Sequence, residues 1–359
     1  MTALAVAGLS LRLGAFALDD VSFTLPANDV MVVLGSNGAG KSVLLETIAG
    51  FHRPARGRIA INERDVTTLP AEKRRVGFVV QNFGLFPHLT VAQNVALGAR
   101  AQRRARAGSP PVDIAALLRR FGIADLADAS PLVLSPGEKQ RAALARAEAS
   151  HPDLFLLDEP FAALDAPARS QLRVELARFL RELRLPALFV THDYVDVAAL
   201  GDHLALMHAG RIIQCGAVDD VFRRPVSRTA ADILGFENRL VGRVVSHDRR
   251  LAQVAVEGKF LRIATESAVP AAGEVIVAIR AENVRLLRPD AAPTNAADNR
   301  LIGAVVALEP LGALTKVALD CGFRLIACLM SRDVAALGLV SGAAVAADIA
   351  APDAHLVVP

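Results

Sequence analysis

Lys41 and Ser42 close the segment Gly35-Ser36-Asn37-Gly38-Ala39-Gly40-Lys41-Ser42, and their side chains have the chemistry to hold a polyphosphate. The glycines let the backbone turn tightly, so that successive N–H groups converge on one point where an anion can sit. The Lys41 ammonium can reach the β- and γ-phosphates, and the Ser42 hydroxyl can ligate Mg²⁺. Val43 follows with its backbone N–H intact. Glycine-rich turns are common between strands and helices. Lys-Ser at the end of this one makes it specific for a nucleoside triphosphate.

Other residues have matching chemistry. Asp158 and Glu159 are adjacent carboxylates. Asp158 is suited to hold Mg²⁺ through water, and Glu159 to polarise a water aimed at the γ-phosphate. His192, in Thr191-His192-Asp193, can hydrogen-bond the γ-phosphate, and Gln81 can sense Mg²⁺ and the attacking water. Each has a plain alternative taken alone. The carboxylates could cap a helix, a lone histidine is more often structural, and a glutamine after a strand usually means nothing. Leu134-Ser135-Pro136-Gly137-Glu138-Lys139-Gln140-Arg141 reads locally as a helix start. Ser135 is the N-cap, Pro136 the first helical position, and Glu138 completes a capping box.

The elements that must position these groups are visible as patterns. The apolar run Val30 to Leu34 precedes the glycine-rich loop, and Val43 to Ala49, closed by Gly50, reads as the following helix. Val76 to Val80, Leu154 to Leu157 and Ala187 to Val190 are short apolar runs ending in polar residues, as buried parallel strands do. Ala166 to Leu183 is an amphipathic helix. Strand character is lost from Leu85 to Phe121, a mainly helical region in which Arg100 to Pro111 reads as an exposed loop. Arg103, Arg104 and Arg106 there read as a solvated face.

After Phe236 the texture changes to short alternating strands, and the chain repeats itself. Asn238-Arg239-Leu240-Val241-Gly242 matches Asn299-Arg300-Leu301-Ile302-Gly303, and Val275, Ile279, Ala281 and Leu286 match Val345, Ile349, Ala351 and Leu356. The period is roughly 60–70 residues with a small insertion in one copy, which indicates a duplicated β module that curls into a small barrel. Pro289 to Asn295 reads as the linker between copies.

The bulk properties exclude several classes. With 40 Lys and Arg against 37 Asp and Glu, no Trp and one Tyr, the chain lacks the charge and stacking surfaces of a nucleic-acid binder. No apolar run approaches the roughly 18–20 residues that span a bilayer, and the N-terminus lacks signal-peptide features. The expectation is a soluble chain that stays in the compartment where it is made. Cys215, Cys321 and Cys328 have no metal-ligand spacing and read as buried small residues in a reducing compartment.

In order, the phosphate loop, Gln81, Leu134 to Arg141, Leu154 to Glu159, Ala162-Ala163-Leu164-Asp165 and His192 resemble the ATP-binding-cassette ATPases from Leu4 to about Gly235. The resemblance implies an α/β P-loop cassette over about 1–236, with a helical subdomain at about 88–152. A C-terminal all-β domain follows at 237–359, OB-like and of the TOBE/Mop kind, with copies at about 237–288 and 297–359. It implies a homodimer that sandwiches each ATP, with Mg²⁺, between one subunit's loop and the other's Ser135–Gly137, with Asp165 also at the nucleotide. It further implies two transmembrane permease subunits docking near Gln81 and Phe83 to His88, and a periplasmic or extracellular solute-binding protein. The location implied is the cytoplasmic face of the inner membrane. Phe16 to Asp19, Thr24 to Ala27, Lys41-Ser42-Val43, Glu72 to Gly77 and Gly137 to Arg141 resemble more closely the molybdate and tungstate importer ATPases. So does Arg324 to Leu339, which is similar to their small oxyanion-binding module. Sulfate and ferric-iron importers are the alternatives. A cassette acting on ribosomes or DNA would need a second cassette or a coiled coil. A regulatory protein with a decayed ATPase would not keep Lys41, Asp158, Glu159 and His192.

The chain departs from the family in four places. Pro136 stands where Gly is usual and removes one N–H. Val43 replaces a hydroxyl residue. Leu13 occupies the place of the base-stacking aromatic, with Phe16 as a substitute. In the tail, Ala296-Ala297-Asp298-Asn299 and Ile349-Ala350 lack the hydroxyl and both cations of the family's oxyanion motif, and Asp298 would repel an anion.

Overall fold

The computed structural model describes residues 1–105, 111–248, 250–265, 273–292 and 298–357. The chain divides into two compact units, Met1–Val221 and Phe222–Pro359, earlier than the change of texture after Phe236.

In the first unit the order is β1 (Thr2–Leu13), β2 (Phe16–Pro26), β3 (Val30–Leu34), α1 (Lys41–Ala49), β4 (Arg56–Ile61), β5 (Arg64–Asp65), β6 (Val76–Val79), α2 (Val91–Ala105), α3 (Ile114–Arg120), α4 (Pro136–Ala149), β7 (Leu154–Asp158), α5 (Ala166–Leu183), β8 (Ala187–Thr191), α6 (Tyr194–Leu200), β9 (His203–His208) and β10 (Arg211–Ala217). One sheet has the order β10-β9-β3-β8-β7-β6, parallel from β9 to β6. Every residue of β3, β7 and β8 is buried, which explains their unbroken apolar runs. A second, antiparallel sheet, β2-β1-β4-β5, shares a core with α1 through Leu4, Leu9, Leu44 and Ile48. The parallel strands deliver Gly35, Gln81, Asp158 and Thr191 to their carboxyl ends, the edge where open α/β sheets bind ligands.

The helical subdomain packs α2, α3 and α4 around Val91, Val95, Leu118, Leu134 and Ala145. Here the expected loop beginning at Arg100 is corrected, because α2 continues to Ala105. From Arg100 to Ala105 its Ala, Arg and Gln residues are good helix formers, with no Gly or Pro among them. The side chains of Arg103 and Arg104, and all of Arg106, lie outside the described residues. At Gly98 a Cβ would stand 2.0 Å from the Arg146 carbonyl oxygen, so α2 and α4 approach as closely as they do only because Gly98 has no side chain.

After α7 (Val218–Arg223) and α8 (Arg228–Ile233) the tail is β11 (Asn238–His247), β12 (Leu251–Val256), β13 (Lys259–Ala264), β14 (Glu274–Ile279), β15 (Arg285–Leu287), β16 (Asn299–Leu311), β17 (Leu314–Asp320), β18 (Arg324–Met330), α9 (Ser331–Leu337), β19 (Ala344–Ile349) and β20 (Ala354–Val357). The connection containing α9 supplies part of the extra length of the second copy.

The copies are not two separate barrels. The sheets are β13-β12-β11-β14-β20 and β15-β19-β16-β17-β18, so each copy gives its last strand to the other's sheet. One core holds residues of both, among them Val254, Val277, Val317, Cys321 and Val345. Of the three cysteines expected to be buried, Cys321 is, whereas Cys328 is half-buried and Cys215, on the edge strand β10, is exposed. The repeated asparagines cross over as well. Asn238 donates to Ile326 O (2.8 Å) and accepts from its N–H (2.6 Å), while Asn299 does the same with Arg262 (2.8 and 2.6 Å). Both asparagines are buried, and each stands in for a strand neighbour.

Candidate nucleotide site

The loop after β3 is shaped by its glycines. Gly40 caps α1 at φ 106°, and a Cβ there would strike the Phe16 ring at 2.4 Å. At Gly35 a Cβ would meet Met207 O at 2.4 Å. Gly38, at φ 81°, has open space beside it. No side chain caps α1 and no carboxylate lies in its first turn, so its leading N–H groups remain donors for an anion.

Lys41 is 5% exposed and donates to Gly35 O (2.9 Å) and Ser36 O (3.2 Å). Its ammonium stands 3.5 Å from Glu159 Oε1, and the other Glu159 oxygen is 3.2 Å from His192 Nδ1. Glu159 sits between the two possible partners of a γ-phosphate. Its φ of 41° is uncommon for a non-glycine residue and turns the chain sharply off β7. The Ser42 hydroxyl donates to Asp158 Oδ1 at 3.1 Å. Burial pushes the Asp158 carboxyl above its usual range, and Glu159 and Glu46 push it further, against the Ser42 hydrogen bond and Lys41. A buried carboxylate hydrogen-bonded to a hydroxyl is a pair of hard oxygen donors suited to a divalent cation.

Lys41, Ser42, Glu159 and His192, but not Asp158, line one cavity of about 590 Å³, within the usual size of a cofactor pocket. Phe16, Asn37, Lys41, Ser42, Gln81, Glu159 and His192 all face it. Leu13 does not, so of the two base-stacking candidates only Phe16 is at the cavity. Ser135, Gly137 and Asp165 do not line it either. Ser135 and Glu138 form the expected capping box, with Ser135 Oγ donating to Glu138 Oε2 at 2.7 Å. Those hydrogen bonds hold the Glu138 carboxyl below its usual range. Asp165 caps α5 by accepting from Ala168 N–H at 2.9 Å.

Some supporting residues have no signal in the motifs. Behind His192, Arg173 of α5 donates to Asp196 Oδ1 (2.8 Å) and Asp193 Oδ2 (3.3 Å), and Thr191 Oγ1 donates to Asp196 Oδ2 (2.7 Å). Asp193 and Asp196 are close to the histidine in sequence and could have been suspected, but their cation comes from another helix.

A family model for ABC transporters matches residues 18–162. The molybdate/tungstate import ATP-binding protein of Pyrococcus horikoshii is 36% identical over 95% of this chain and 96% of its own length. The chain belongs to the ABC transporter family. It is an ATP-hydrolysing ABC cassette with a β-rich tail. The sulfate/thiosulfate import ATP-binding protein of Mycobacterium tuberculosis is 42% identical over 70% of this chain and 72% of its own. A solved ABC cassette, cbiO1 from Clostridium perfringens, superimposes with a TM-score of 0.54 at 29% identity over 62% of this chain and 90% of that one.

Proposed function

We propose that this cassette powers an importer of molybdate or tungstate. It works as a homodimer at the cytoplasmic face of the cell membrane, with two transmembrane permease subunits and an external solute-binding protein. The observation that carries the substrate class is the extent of the likeness. The Pyrococcus horikoshii molybdate/tungstate relative aligns through 95% of the chain, whereas the sulfate relative aligns over 70%. The higher identity of the sulfate relative within its alignment keeps sulfate as the second reading.

The loop N–H groups and Lys41 bind the phosphates, and Phe16 packs on the base. Ser42, Asp158 and Gln81 hold Mg²⁺, which when bound neutralises charge on the β- and γ-phosphates. Glu159 orients and polarises the attacking water, and His192 steadies both Glu159 and the γ-phosphate. Ser135 and Gly137 of a second copy complete the site from outside, which fits their position away from the cavity of their own chain. Asp165 joins them at the interface.

Two measurements test this. Glu159→Gln is expected to form an ATP-dependent dimer by light scattering, and a variant that stays monomeric at saturating ATP contradicts the mechanism. Deleting the chain from its cell should abolish uptake of molybdate and tungstate and spare sulfate. Loss of sulfate uptake alone would select the second reading.

A further inference from the structure

Gln81 hangs from the end of β6, but the chain beyond it is held by other elements. Arg146, near the end of α4, donates from Nη1 to Gly84 O (2.6 Å) and from Nη2 to Phe83 O (3.0 Å). Both residues are left-handed, Phe83 at φ 62° and Gly84 at φ 60°. For phenylalanine that conformation is uncommon and needs fixing from outside. A guanidinium fork can grip two carbonyls at once, which a lysine ammonium cannot do in the same geometry. The group also lies 6.0 Å from the Phe86 ring centroid. Burial pushes its pKa down, in keeping with a cation withdrawn from water to make these bonds.

The far end of the same segment is held by α2. Asn94, fully buried, donates to Phe86 O (3.1 Å), Leu89 O (3.2 Å) and Thr90 O (3.0 Å) and accepts from Phe86 N–H (2.8 Å). Residues 83–90 are thus bonded to the helical subdomain, while Gln81 follows the end of β6 in the parallel sheet by two positions. Past Gln81 the turn is closed locally by Phe83 N–H donating to Val80 O (2.9 Å), and the Arg146 contact is its first side-chain attachment to another element, the helix whose other end carries Ser135 and Gly137.

We propose that Arg146 is a positioning residue for Gln81: by fixing the Phe83–Gly84 turn it sets where the Gln81 side chain stands relative to Ser42 and Asp158, and it passes movements of α4 to that side chain. This rests on the reading of Gln81 as a group that meets Mg²⁺ with the nucleotide.

The test is nucleotide binding in the Glu159→Gln protein, followed by fluorescence of a labelled ATP with and without Mg²⁺. Arg146→Met should cut the Mg²⁺-dependent gain in affinity by about tenfold, the usual loss when a supporting partner of a metal ligand is removed. Its Mg²⁺-free affinity should stay within about twofold of the parent, since the phosphate loop is untouched. Hydrogen exchange should rise at residues 82–85. Gln81→Ala should cut the same gain, and the double variant should be no worse than Gln81→Ala alone, as expected for two residues acting through one contact. Arg146→Lys, which keeps the charge, should lose an intermediate part and serves if Arg146→Met does not fold. Asn94→Ala should raise exchange at 86–90 and leave the gain intact. If Gln81→Ala loses the gain but Arg146→Met and Arg146→Lys retain it, the proposal is overturned. If Gln81→Ala itself retains the gain, the underlying reading of Gln81 fails instead.

Discussion

Asp158 shows at the scale of one residue how a site suited to a cation burdens the fold that carries it. Its carboxyl is buried, with Ser42 as its hydrogen-bond partner and Glu159 and Glu46 as added negative charge. The folded pKa lies above the ordinary 3.8, so the sign of the linkage is fixed. The stability tied to this group is fully present below 3.8 and is lost as pH rises through the folded value. Once ionised the side chain opposes folding, and a divalent cation bound there would reverse that. Asp158→Asn should raise the melting temperature of the nucleotide-free protein by about 2–4 °C, the change that about 1 kcal/mol produces in a domain of this size. The same variant should lose the additional thermal stabilisation that Mg²⁺ gives in the presence of ATP. Differential scanning calorimetry reads both. A nucleotide-free protein that melts lower than the parent would show that Asp158 is a structural partner of Ser42 rather than a strained one.

At the scale of the element, α4 combines a well-capped helix start with few donors left over. Pro136 contributes no N–H, the Glu138 N–H is taken by Ser135 Oγ at 3.3 Å, and that of Lys139 by Ser135 O at 3.0 Å. Among the first-turn amides of the described residues this leaves Gly137 to donate to a phosphate on a second copy. Losing an engaged donor costs about 2.7–4 kcal/mol of transition-state stabilisation. Pro136→Gly should therefore raise ATP turnover more than twofold, while lowering helix stability by about 0.4–1 kcal/mol through the freer unfolded chain. Steady-state kinetics and a melting curve check the pair, and a smaller rise in turnover would mean that the missing N–H never faced the phosphate. The capping box was legible because its residues are neighbours in sequence, as were the phosphate loop and the strand ends bearing Asp158 and His192. Arg146 was not, because the carbonyl it holds at Phe83 is 63 residues away and a backbone acceptor has no side-chain identity. Arg173 was hidden for a similar reason, since its pairing with Asp196 needs two helices already packed. The extent of α2 was misjudged because Arg- and Ala-rich sequence suits an exposed loop and an exposed helix alike.

At the scale of the whole molecule, the sequence repeat announced two copies but not their exchange of strands. Periodicity reports which residues are alike, whereas the pairing of Ile276 with Val357 and of Arg285 with Asp348 depends on where each copy's last strand finds an open sheet edge. The exchange has a parallel in the acidic residue that precedes each repeated asparagine. Glu237 Oε2 accepts from Ala281 N–H at 3.2 Å, and Asp298 Oδ2 accepts from Ala351 N–H at 2.7 Å. Ala281 and Ala351 are matching positions, so in both copies a backbone donor that could meet an anion is already given to a carboxylate of the chain itself. Ala296 and Ala297 lie outside the described residues, but as alanines they bring neither hydroxyl nor cation to the site. An incoming oxyanion would have to displace a carboxylate and bear its repulsion, with no cation from the motif in return. Titration of molybdate into the full chain is expected to show no saturable heat, and millimolar molybdate should leave ATP turnover unchanged. Micromolar binding that survives saturation with ATP, and so does not arise at the nucleotide site, would mean that the tail senses the transported solute after all. Absence of binding would make the tail a structural part of the cassette, held as one piece by its exchanged strands.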